Sequence, residues 1–144
     1  MIAVDTNVLL RYLLLDDKKQ AAKADELING AETVLITDVV LSKTLWTLKG
    51  KKYPLDKSAI VDVLDSLFKE SNIRFEDGQT VWRALNDNRQ AMPVKVGRKR
   101  KEADFPDALV ANKARFCAGE IGEDLNGVYT FDVAAQELPG TAKP

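Results

Sequence analysis

The amino-acid sequence predicts an α/β fold in which a parallel sheet is covered by helices on both faces. Three observations carry that expectation. Short apolar runs alternate along the chain with longer stretches of helical periodicity. No hairpin signal joins one apolar run to the next, and parallel strands need crossover connections. The 144 residues are 45% hydrophobic and 30% charged, which suits one domain with a buried core and is too apolar for general disorder.

The elements follow in order. Ile2-Ala3-Val4 is too short for a helix core and suits a buried strand ending at Asp5. Val8 to Leu15 is densely apolar, interrupted by Arg11, as in a packed helix. A more polar helix runs from about Lys18 to Ile28 and stops at Asn29-Gly30. Thr33 to Ile36 reads as a second strand. Thr37 or Asp38 then caps a helix from about Val39 to Lys49, with Gly50 as its stop. Pro54-Leu55-Asp56 opens the next helix, where Ile60, Val63, Leu64, Leu67 and Phe68 recur at helical spacing. Ile73-Arg74-Phe75 is a short strand, and Val81, Trp82 and Leu85 mark another helix. Residues 93–103 lack a period and are expected to form a loop. Asp104 to Phe116 is helical with Pro106 in its first turn. Val128 to Phe131 is a last strand, followed by Asp132 and a short helix. Residues 1–138 are expected to form a single domain, with 139–144 a frayed tail. Trp46, Trp82 and Phe116 lie in apolar periodic segments and are expected in the core, as is Cys117.

Composition excludes several functions. No apolar run approaches the ~18 residues of a membrane span, and the N-terminus lacks signal-peptide order. A single cysteine makes no internal disulfide, so a cytoplasmic location is expected. There is no histidine, which removes Ser-His-Asp and Cys-His catalysis, HExxH metalloproteases and ordinary zinc sites. Acid–base or metal chemistry must use carboxylates, lysine, tyrosine or water. The net charge is −1, yet Lys95, Arg98, Lys99, Arg100 and Lys101 crowd five positive charges into seven residues. Elsewhere 16 positive charges face 22 negative ones, about −6.

Three expected strands end in aspartate, at Asp5, Asp38 and Asp132, and Asp104 and Asp107 share one face of a helix start. For any one of these, capping is the plain reading, and it is retained for Asp38 and is strong for Asp104. Ligands in open parallel sheets bind beyond the carboxyl ends of the strands, so several of these carboxylates are also placed to converge. Clustered carboxylates need a positive partner, and hard oxygen ligands without His or Cys suit Mg²⁺ or Mn²⁺. Such an ion beside a basic segment fits phosphodiester hydrolysis without histidine.

Asp5-Thr6-Asn7-Val8-Leu9-Leu10-Arg11-Tyr12, Asp104-Phe105-Pro106-Asp107-Ala108-Leu109-Val110-Ala111 and Thr130-Phe131-Asp132 resemble the motifs of PIN-domain ribonucleases, most of all the VapC toxins of bacterial toxin–antitoxin pairs. The resemblance spans about residues 1–138. It implies a three-layer α/β/α fold, a Mg²⁺-dependent endoribonuclease, a homodimer and a neutralising antitoxin protein. It implies metal ligands at Asp5, Asp107 and Asp132, with Asp104 a secondary ligand or water-orienting group, and supporting polar residues at Thr6, Asn7 and Thr130. Lys95, Arg98, Lys99, Arg100 and Lys101 precede the acidic helix and are candidates for RNA phosphate contact. One position departs from the family pattern. Val40-Leu41-Ser42-Lys43 places Lys43 where the pattern has a glutamate ligand. A positive charge there opposes metal binding, or stands in for the ion among the aspartates, and attenuates activity in either case.

Rival readings remain open. A haloacid-dehalogenase-type phosphatase wants a second aspartate two residues after the first, and Asn7 occupies that place. A response-regulator receiver needs an acidic pair after its first strand, and Asp5 stands alone there. A catalytically silent protein that binds RNA or an antitoxin is the third.

Overall fold

Three short parallel strands organise the first half of the chain. The computed structural model describes residues 1–144, which form two compact units, 1–78 and 79–144. In the first unit the strands are β1 (Ile2–Ala3), β2 (Val34–Ile36) and β3 (Ile73–Phe75), in the order β1-β2-β3. Ile2 lies opposite Val34, and Val34 opposite Ile73. Helices α1 (Thr6–Leu14) and α2 (Lys18–Ile28) connect β1 to β2, while α3 (Asp38–Lys49) and α4 (Lys57–Lys69) connect β2 to β3. Helix α1 packs on α2 and α3, and α3 packs on α4.

The core of this unit is aliphatic. Leu9, Ile28, Val34, Ile36, Leu41, Leu48 and Leu64 are all fully buried. Each such side chain contributes roughly 1.5–3 kcal/mol by leaving water. The Phe68 and Phe75 rings meet at 4.7 Å and tie α4 to β3. Helix α1 ends where Leu15 turns left-handed, at φ 55°, returning its N–H to the Arg11 carbonyl. Arg11 then grips both Asp16 oxygens at 2.8 Å, and the Tyr53 hydroxyl donates to the same carboxylate. After α2, Gly30 is needed for space, since a Cβ there would stand 2.8 Å from the Glu26 carbonyl oxygen.

The second unit holds α5 (Gly78–Gln90), the strands β4 (Val94–Val96) and β5 (Lys99–Lys101), α6 (Phe105–Glu120), and the strands β6 (Val128–Tyr129) and β7 (Thr141–Ala142). Val81, Ala84, Leu85, Phe105 and Ala108 are fully buried. Asn88 is buried too, and its amide donates to the Ala103 carbonyl just ahead of α6. No helix of the chain is long and apolar enough to cross a membrane.

The α/β class and the parallel sheet are as expected, and α2 has the expected limits. Three expectations for the fold need correction. Residues 93–103 hold an antiparallel hairpin, β4–β5, not an irregular loop. Gly97, at φ 64°, supplies the left-handed residue of its two-residue turn. The 139–144 tail is not frayed, because Thr141 and Ala142 pair in parallel with Val128 and Tyr129 and the Thr141 hydroxyl bonds the Ala135 and Leu138 carbonyls. The last strand therefore pairs with the tail. Finally, Trp46, Trp82 and Phe116 are exposed, at 72%, 45% and 38%, and Cys117, next to Phe116, is exposed as well. Trp46 shares its helix with Leu41, Leu45 and Leu48, which take the buried face.

Candidate active site

In the first unit, acidic residues follow the strands. The parallel register brings Asp5, Thr37 and Glu76 level, two residues beyond Ala3 and one beyond the Ile36–Phe75 pair. Asp5 is exposed and caps α1, its carboxylate accepting the Thr6 N–H at 2.7 Å. Thr37 caps α3 through the Val40 N–H, so Asp38 is the first helical residue. Glu76 accepts the Asp38 N–H at 2.9 Å. Glu76 is absent from the sequence-derived set, although it obeys the same signal of an acid directly after an apolar strand.

Thr6 is 4% exposed, and its hydroxyl has no hydrogen-bond partner. It is therefore the backbone of Thr6, not its side chain, that holds the Asp5 carboxylate. Asn7 is exposed. Lys43 sits in the middle of α3, exposed, and its ammonium enters no ion pair.

In the second unit the start of α6 joins two carboxylates. Asp104 is the N-cap and accepts the Asp107 N–H at 3.0 Å, while Asp107 reaches back to the Asp104 N–H at 3.2 Å. Pro106 fits this first turn because its missing N–H would have had no helical partner there. This reciprocal capping box holds both carboxyl groups at one helix end. Burial pushes the Asp107 carboxyl up to about 6, and Asp104 and then the charge of Asp132 add to the rise. Asp132 belongs to the same electrostatic group. It accepts the N–H groups of Ala134 and Ala135 at 2.9 and 3.2 Å, and the Thr130 hydroxyl takes its own N–H at 3.1 Å. Thr130 thus contacts the backbone of Asp132 and not its carboxylate.

Asp5, Asp104, Asp107 and Asp132 are therefore helix or turn caps, and the last three also crowd one another, whereas the capping expected of Asp38 is corrected because the Thr37 hydroxyl takes the N-cap place. Within neither unit do three or more such side chains form a group tight enough to enclose an ion. The donors of the second unit are carboxylate oxygens alone, and the proton affinity of Asp107 is raised first by burial and then by its acidic neighbours Asp104 and Asp132. This chemistry fits a hard divalent ion such as Mg²⁺ or Mn²⁺. Lys95, Arg98, Lys99, Arg100 and Lys101 are all exposed on the β4–β5 hairpin, which ends three residues before Asp104.

A PIN-domain family model matches residues 2–133 and so spans both units. A search of curated proteins finds no match. Among solved structures the chain is similar to the Mycobacterium tuberculosis toxin VapC20, described as a sarcin–ricin-loop-cleaving toxin. The two share 16% identity and a TM-score of 0.40, over 100% of this chain and 98% of the other. On the family match, which covers nearly all of its length, the chain belongs to the PIN-domain family, a family of nucleases with the α/β/α fold.

Proposed function

We propose that this protein is a metal-dependent endoribonuclease of the VapC toxin type, attenuated by Lys43. The observation that carries this reading is the Asp104–Asp107 capping box, whose inner carboxyl is pushed up to about 6 by burial and by its acidic neighbours. Asp107 and Asp132 would hold a Mg²⁺ or Mn²⁺ ion, and Asp5 matches a further ligand position of the family pattern. When bound, such an ion supplies charge neutralisation at the phosphoryl oxygen and a water activated at neutral pH. Asp104 fixes the position of Asp107 through the paired backbone bonds and orients water at the rim. Thr130 holds the backbone of Asp132, and the Thr6 N–H holds Asp5. The exposed cations from Lys95 to Lys101 draw RNA phosphates toward the protein. Val39 and Trp46, 75% and 72% exposed on α3, supply apolar surface that suits a protein partner, either a second copy or an antitoxin. A cytoplasmic location follows from the RNA substrate.

Lys43 favours a second reading, in which the chain binds RNA or an antitoxin without cutting. One experiment separates the two. Purified chain and Lys43→Glu are incubated with a structured RNA over a Mg²⁺ series. The nuclease reading expects cleavage that needs Mg²⁺ and is roughly 10- to 100-fold faster with glutamate, since a carboxylate attracts the ion that an ammonium repels. Binding with no cleavage by either form supports the silent reading.

A further inference from the structure

Two buried amides join α5 to the start of α6, and neither belongs to the carboxylate set. Asn88, in α5, is 2% exposed and donates from Nδ2 to the Ala103 carbonyl at 3.1 Å. Ala103 is equally buried and directly precedes Asp104, the N-cap of α6. The neighbouring Asp87 carboxylate accepts the Asn112 amide at 2.7 Å. Asn112 is buried as well and also donates to the Ala108 carbonyl at 2.9 Å, in the first turn of α6. Two consecutive residues of α5 therefore fix α6 at points on either side of the Asp104–Asp107 capping box in sequence.

The first of these points acts on the site through a single peptide group. The Ala103 carbonyl and the Asp104 N–H belong to one planar peptide. Asn88 holds its oxygen end, and its N–H end donates to the Asp107 carboxylate at 3.2 Å. Asn88, that peptide and Asp107 form one chain of hydrogen bonds, and bonds in such a chain polarise and strengthen one another. The capping box alone does less. Its two bonds set Asp104 against Asp107 but leave the turn itself to be placed by other contacts. The covalent path from α5 is a weak tether, because it runs through the β4–β5 hairpin. There Lys95 stands directly opposite Arg100, and like charges so placed weaken a strand pair that is marginal to begin with. Asn88 also carries a cost. Its Oδ1 is buried without a hydrogen-bond partner, an orphan that a leucine of similar shape would remove. Local rules of packing are broken where a site requires it.

We propose that Asn88 is a positioning residue of the carboxylate site, which orients Asp107 through the Ala103–Asp104 peptide. Its consequence for metal rests on the nuclease reading, but its action is read first without metal. NMR of the metal-free full chain follows the Asp104 amide proton, and electron paramagnetic resonance measures Mn²⁺ affinity in the Lys43→Glu background. Asn88→Leu removes the donor, and Asn88→Gln keeps one. Asn88→Leu is expected to move the Asp104 amide proton upfield and to speed its exchange by about tenfold. It is expected to weaken Mn²⁺ binding by about tenfold, as for other groups that orient a metal ligand. Asn88→Gln recovers the amide position and part of the Mn²⁺ affinity. Asn88→Ser, too short to reach Ala103, gives the same readings if the leucine variant does not fold. An Asp104 amide unchanged in position and exchange overturns the proposal. So does a melting temperature that falls while Mn²⁺ affinity stays the same, since the amide is then only a packing element. If no form binds Mn²⁺ but the Asp104 amide still shifts in Asn88→Leu, the metal-site reading fails and the positioning of Asp107 stands.

Discussion

The hairpin at 94–101 and the capping box at 104–107 are neighbours in sequence and opposites in electrostatics. At the capping box, like charges are crowded and half-buried, and the fold compensates them locally. Each carboxylate takes a backbone N–H, and both sit at the positive end of α6. On the hairpin, like charges are equally crowded but stand in solvent with no partner from the chain. The first arrangement stores negative charge in a fixed place, as an ion site requires. The second displays positive charge without fixing it, as contact with a flexible polyanion requires.

That contrast yields tests of decreasing size. In the Lys43→Glu background, Asp107→Asn is expected to lower RNA cleavage by more than ~100-fold at saturating RNA, beyond the usual loss for a residue that only supports a metal ligand. Steady-state rates check this. Neutralising the five hairpin cations is expected to raise KM by about tenfold and to move kcat far less, because their contacts are the same before and during reaction. A third test concerns stability. The Asp107 carboxyl has its folded pKa raised to about 6, so its stabilising contribution is complete below the ordinary carboxylate value of 3.8 and disappears as pH rises through about 6. Asp107→Asn is therefore expected to raise the melting temperature at pH 7 to 8, by roughly 3 °C after allowing for solvent screening, with the gain vanishing near pH 4. The smallest effect is on the hairpin. Lys95→Glu turns the pair with Arg100 into an attractive one and is expected to stabilise the hairpin by roughly 0.5 kcal/mol, read by amide hydrogen exchange.

Much of this molecule is legible in its sequence. Helical spacing locates α2 and the buried face of α4, because those segments bury one clean stripe. The strand-then-aspartate signal finds Asp5 and Asp132, and Pro106 marks the start of α6. The failures have physical reasons. Val94-Lys95-Val96-Gly97-Arg98-Lys99-Arg100-Lys101 reads as a loop because charge masks its alternation, yet the Val-x-Val pattern and Gly97 are a hairpin signal. Trp46 and Trp82 lie in apolar periodic segments that predict burial, whereas α3 and α5 fill their buried faces with smaller side chains. The pairing of Thr141 with Val128 joins residues 13 positions apart, a long-range partnership that no local pattern encodes. Glu76 follows the same rule as the other acids, but its strand, with Arg74 exposed at its centre, is the least apolar of the three.

The central claim is that the capping-box carboxylates receive a divalent cation, and the titration of Asp107 tests it most directly. Carbon-detected NMR of the aspartate carboxyl groups, followed across pH with and without Mg²⁺, reads that proton affinity at its own atom. Without metal the midpoint is expected near 6. At saturating Mg²⁺ in the Lys43→Glu protein it is expected to fall by at least one unit, since a bound cation favours the ionised form. An Asp107 midpoint that stays near 6 at every Mg²⁺ concentration contradicts the claim.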